Sequence, residues 1–120
     1  MAHYVDGFVI PIAKKNLAAY RKISRKAGKI WRELGALDYR ECVGDDLAVK
    51  GMRSFMTVAG AKAGETVVFS WIVYKSKAHR NRVNALIMKD PRIEKMMGGE
   101  PMPFDVARMA YGGFKTIVEA

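Results

Sequence analysis

Residues 66–75 read T-V-V-F-S-W-I-V-Y-K, from Thr66 to Lys75. The run is rich in β-branched and aromatic residues, which suit a pleated strand. Alternation puts Val67, Phe69, Trp71 and Val73 on one face and Val68, Ser70, Ile72 and Tyr74 on the other. Both faces are apolar apart from one small hydroxyl, whereas a sheet with one wet face shows polar residues at every second position. The strand is therefore expected to be central, with both faces of its sheet covered. A short chain covers one face with its own helices. A second copy of the chain is the economical cover for the other, which predicts a homodimer.

Outward from that strand, the chain alternates between strands and helices. His3 to Ile12 reads as a first strand, with Tyr4, Asp6, Phe8 and Ile10 on one face. Asp6 is an acid among apolar neighbours: either a carboxyl whose pKa burial raises, or one that sits at an edge or pairs with an arginine. Leu17 to Leu34 carries an apolar stripe at Leu17, Tyr20, Ile23, Ala27, Ile30 and Leu34, which predicts a long amphipathic helix with Asn16 as N-cap and Gly35 as stop. Ala36 to Val43 reads as a second strand, and Leu47 to Gly64 as an insertion with a short helix capped by Ser54. The insertion is expected to pack on the sheet edge or on a partner. Ser76 caps a helix running to Met88, with Val83, Leu86 and Ile87 facing inward, and Asp90-Pro91 opens another short one. Arg108 to Val118 reads as the last strand. Its Gly112-Gly113 pair suggests a bulge or a close approach by a ligand or backbone.

The order is β-α-β-(insertion)-β-α-β, an α+β ferredoxin-like βαββαβ arrangement with the insertion between strands 2 and 3, in a single domain over residues 1–120. No apolar run reaches the ~20 residues of a membrane span. No signal-peptide pattern opens the chain, and Cys42 is the only cysteine. A cytoplasmic location with no membrane attachment is the expectation. Cys42 is expected to be a small buried hydrophobe.

Three motifs carry a family resemblance. Y-V-D-G-F-V-I-P from Tyr4, V-V-F-S-W-I-V-Y-K-S-K-A from Val67 and M-P-F-D-V-A-R-M-A-Y-G-G-F from Met102 resemble the YbaA-like family, in the same order and over nearly the whole chain. That family groups bacterial proteins of unknown function. The resemblance implies a dimeric α+β barrel, in which two ferredoxin-like subunits pack sheet against sheet. It brings no catalytic residues to transfer.

Cofactor signatures are absent: there is no G-x-G-x-x-G, no P-loop and no histidine–cysteine cluster at metal-ligand spacing, so no cofactor and no metal are expected. The leading functional expectation is a small molecule bound or transformed in a pocket between sheet and helices, lined by Tyr39, Trp71, Arg108 and Tyr111. Asp6 or His79 would serve as general base if the activity is a cofactor-independent, monooxygenase-like one. Haem-degrading relatives in the superfamily place an Asn, a Trp and a His on comparable elements. Trp71 and His79 fall on them here, but Asp6 stands where the Asn would be.

The alternative rests on charge. The chain carries 21 Lys and Arg against 12 Asp and Glu, a formal +9, and the first helix is basic on its outer side. Arg21, Lys22, Arg25, Lys26 and Lys29 would bind RNA or another polyanion there. The third strand lacks the glycines and the leading base of an RNA-recognition signature, so base stacking on the sheet is not expected.

Overall fold

The computed structural model describes residues 2–99 and 101–120. Four strands, β1 (Tyr4–Ala13), β2 (Asp38–Val43), β3 (Glu65–Tyr74) and β4 (Ala110–Lys115), form one antiparallel sheet in the order β2-β3-β1-β4. The helices are α1 (Leu17–Glu33), α2 (Phe55–Ala59) in the insertion, α3 (Lys77–Lys89) and α4 (Pro91–Gly98). This is the ferredoxin-like α+β architecture, and β3 is central, as its two apolar faces require.

Pairing of Asp6 with Ile72, Phe8 with Ser70 and Ile10 with Val68 puts these residues on one face, where α1 and α3 cover them. Ile30, Ile72, Tyr74, Val83 and Ile87 form one buried cluster, and Ile10, Ile12, Tyr20 and Val68 another, with Phe8 packed between them. The local signals for helix starts hold. The hydroxyl of Ser54 accepts from Met56 N–H, that of Ser76 from His79 N–H, and the Asp90 carboxylate from Arg92 N–H with Pro91 following.

The second sheet face is covered only at one end. The insertion does not lie along the sheet edge: α2 packs against β1 and β3, with Phe55 stacked near Phe69 at 5.9 Å between ring centroids. Pro11 and Val67 are buried there. Beyond α2 the face is open, leaving Phe69 44% and Phe114 62% exposed.

Several local expectations change. Cys42 is exposed, because it lies on the edge strand β2 beside Phe69 on the open face. Leu86 is half-exposed, since the inward stripe of α3 is narrowed to Val83 and Ile87. Asn16 does not cap α1; its amide donates instead to the carbonyl of Pro103, tying the connector before β4 to the helix start. The last strand begins at Ala110, after a 3-10 turn over Val106–Arg108. The pair Gly112-Gly113 makes no bulge, because β4 keeps an unbroken register with Gly7 and Asp6. Its second glycine leaves room for the ring of Tyr4, whose atoms would lie 2.8 Å from a Cβ at Gly113.

Candidate functional site

Two polar centres lie on the helix-covered side of the sheet. The first joins β1, α3 and β4. Asp6 is 1% exposed, and its carboxylate accepts from Arg80 Nη1 at 2.8 Å. The same nitrogen donates to the Tyr111 hydroxyl at 2.9 Å, and the guanidinium stacks on the Tyr4 ring at 4.9 Å. Burial pushes the Asp6 carboxyl above the ordinary range, and the charge of Arg80 pulls it partly back. Nearby, the Trp31 indole donates to the Tyr74 hydroxyl at 3.2 Å, and burial together with the Asp6 charge raises the Tyr74 phenol. Among the described residues, no buried side-chain polar atom lacks a partner, so this centre is internally satisfied.

The second centre lies in a groove between α1 and the edge strand β2, with a volume of about 780 Å³. Two local features form it. Ser24 and Gly28 keep the inner side of α1 small, and Tyr39, Glu41 and Val43 alternate onto the helix side of β2. Tyr39 lies so close over Gly28 that a Cβ there would meet its ring at 2.6 Å. The Tyr20 hydroxyl donates to Glu41 Oε1 at 2.7 Å, and the Tyr39 hydroxyl to Oε2 at 2.6 Å. Burial and the Glu41 charge raise both phenols, so both are neutral donors over the physiological range. Leu17, Val43 and Val68 supply apolar lining, and Arg21, Arg25, Lys29 and Arg32 stand along the helix side. These four recur at four, four and three residues, which places them on one stripe. None has a carboxylate partner among the described residues.

The residues singled out from sequence are distributed over several places. Tyr39 lines the groove, while Asp6 and Tyr111 meet in the first centre with Arg80. His79 packs edge-on to Tyr74 at 5.9 Å, and its Nδ1 accepts from the Lys75 N–H, a helix-start contact; burial and the charges of Lys75 and Arg82 lower its pKa. Trp71 points to the opposite face, opposite Gly7 and next to Phe69, and is separated from Asp6 by the sheet itself. Arg108 holds Glu65 through two nitrogens at 2.7 and 2.8 Å and also donates to the Gly60 carbonyl, which ties the insertion to the turn before β4. These residues do not line one shared pocket. Of the basic set, Arg21, Arg25 and Lys29 line the groove, while Lys22 and Lys26 are exposed outside its lining.

Glu41, Tyr20 and Arg80 are not among the site residues expected from sequence. The alternation of Tyr39, Glu41 and Val43 was the available signal for Glu41, since it places a carboxylate on the same strand face as an aromatic and an aliphatic neighbour. No three His, Cys, Asp or Glu side chains gather as a metal site among the described residues, and no helix there is long and apolar enough to cross a membrane.

Comparison with known proteins gives the following. Residues 3–106 match the family described as "Protein of unknown function (DUF1428)". The chain is 42% identical over 116 residues to the uncharacterised protein YbaA of Escherichia coli K12, covering 97% of each chain, and shows the same figures against YbaA of Shigella flexneri. Among solved structures it is similar to a dimeric ferredoxin-like protein from an uncultured marine organism, with a TM-score of 0.63 and 10% identity over 100% of both chains. It is also similar to a NipSnap family protein of unknown function from Agrobacterium tumefaciens C58, with a TM-score of 0.59 and 14% identity over 95% of this chain and 87% of that one. At these identities the likeness is one of fold.

Proposed function

The chain belongs to the DUF1428 family of proteins of unknown function, and from that premise we propose that it binds a small anionic molecule in the groove between α1 and β2. One observation carries the reading: four cations with no carboxylate partner among the described residues stand along a groove of about 780 Å³ whose lining includes the apolar Leu17, Val43 and Val68. Such a volume is in the range of small-molecule sites. Cations along the exposed rim attract an anion, and the Leu17, Val43 and Val68 side chains take its apolar part. Glu41, steadied by two phenols, is the group that would accept a proton or a hydrogen bond from the ligand. In this reading Asp6 and His79 serve the fold, through the Arg80 pair and the start of α3.

The open part of the second sheet face supports a homodimer as the working form. Phe69, Trp71 and Phe114 lie on that face beside the β-branched Val5, Val9 and Val73, and a continuous apolar surface of this kind marks an interface. A solved structure of the same fold is described as dimeric.

The test is a fluorescence titration with 8-anilinonaphthalene-1-sulfonate, an anionic aromatic probe, with benzoate as competitor. Saturable binding that benzoate displaces, weakened about tenfold or more by the double substitution Arg21→Glu and Arg25→Glu, is expected. Undiminished binding by the double variant would overturn the groove reading. The second reading, a polyanion on the outer side of α1, is favoured by the exposure of Lys22 and Lys26 next to the rim. It would be selected by single-stranded RNA binding that is lost equally on Lys22→Glu and Lys26→Glu.

A further inference from the structure

One wall of the groove is a helix, but the other is the edge of a sheet, and that edge has unused backbone groups. Gly44 N–H donates to the Val67 carbonyl at 2.8 Å, continuing the register in which Val43 faces Val68. In an antiparallel ladder hydrogen-bonded pairs alternate, so Cys42, Arg40 and Asp38 turn their peptide groups toward β3. Tyr39, Glu41 and Val43 turn theirs outward, where β2 has no neighbouring strand among the described residues. These are the same residues whose side chains enter the groove. The open edge and the groove are therefore one continuous surface.

We propose that the occupant of this surface is an extended acidic peptide segment that adds to β2 as a fifth strand. The proposal rests on the reading of the groove as an anion site and names the class of anion. Dimensions agree: six residues of β2 span roughly 20 Å at strand rise, and the helix from Leu17 to Arg32 runs roughly 22 Å alongside. Main-chain bonds to the edge would supply affinity, and alternate side chains would reach the helix side, as in other strand-addition complexes. There they meet Arg21, Arg25 and Lys29 at intervals of one helical turn, which selects carboxylates. Charge also argues against a second copy of this chain as the occupant, because each copy carries a formal +9 and would bring more cations to a cationic rim.

The experiment is fluorescence anisotropy with a labelled six-residue peptide alternating glutamate and valine, against the intact protein. Binding is expected, with a loss of about tenfold or more in Arg21→Glu/Arg25→Glu. Both positions are exposed, so the fold of that variant is expected to be intact, which circular dichroism checks. Two further peptides carry N-methyl groups on alternate amides, one set each. Because only one set of amides faces β2, one methylated peptide should lose binding and the other keep it. Equal binding by both overturns strand addition. If benzoate displaces the naphthalene sulfonate probe while the peptide does not bind, the peptide proposal fails and the small-anion reading stands. If neither binds, both fall. Binding of single-stranded RNA in place of the peptide overturns the peptide class.

Discussion

Arg80 reaches across from α3 to place Nη1 2.8 Å from the Asp6 carboxylate, in a pair whose acidic member is almost fully buried and whose basic member keeps 14% of its side chain exposed. The asymmetry decides which half is more costly to remove. Losing Asp6 leaves a guanidinium that still reaches water and the Tyr4 ring, whereas losing Arg80 leaves a buried carboxylate without a counter-charge. Arg80→Leu is therefore expected to destabilise by about 3–4 kcal/mol, and Asp6→Asn by less. Urea denaturation of both variants and the double substitution measures the difference.

The same pair sets a pH dependence. Burial raises the folded-state pKa of Asp6, so the folded chain holds this proton more tightly than the unfolded chain does. The contribution is fully present below the unfolded carboxylate value and is lost as pH rises through the folded one. In Arg80→Leu the loss should be steeper, because the opposing cation is gone. Denaturation midpoints measured from mildly acid to neutral pH should fall more in the variant than in the wild type.

Glu65 behaves in the opposite sense. Its hydrogen bonds from Arg108 and the Lys62 N–H hold the carboxyl down at about 2, against an ordinary 4.5. Stability from this clamp is present above the ordinary value and lost as pH falls toward about 2. Glu65→Gln should be less stable than the wild type at neutral pH and converge with it in acid. A gap that stays constant with pH would contradict the assignment.

Gly28 offers a test in which two principles disagree. Helix propensity alone says that Gly28→Ala gains about 1 kcal/mol. The Tyr39 ring occupies the space of the new methyl and is pinned by its bond to Glu41 and its contact with Trp31. Overpacking costs about 1–3 kcal/mol, so the propensity gain is cancelled and a net loss of up to about 2 kcal/mol is expected, together with weaker probe binding in the groove. A stabilised variant would show that Tyr39 moves aside freely.

Phe114→Glu tests the dimer proposal, because Phe114 lies on the open face and touches neither polar centre. Sedimentation should show a dimer for the wild type and a monomer for the variant. The melting temperature should rise with protein concentration only in the wild type.

What the sequence carries openly is local or periodic. The two apolar faces of β3 announced a central strand, and Ser54, Ser76 and Asp90 announced helix starts, because a cap needs only the next few residues. The sites depend on distance in sequence. Asp6 was legible as an oddity, but its partner lies 74 residues away, and nothing in the chain singles out Arg80 among the other cations. Tyr20 and Glu41 are 21 apart and meet only because α1 crosses beside β2. The pocket expected from sequence combines Trp71 as lining with Asp6 as general base. Strand parity separates them, since Asp6 pairs with Ile72 and therefore lies on the opposite side from its neighbour Trp71.

The insertion has a geometric consequence. By roofing the Pro11–Val67 end of the second sheet face, α2 leaves a lopsided footprint, closed at one end and open over Phe69 and Phe114. In the homodimer proposed above, the length of residues 47–64 would limit how far one sheet can overlap the other. On that proposal the insertion is a spacer, and its length is a register mark for the second copy.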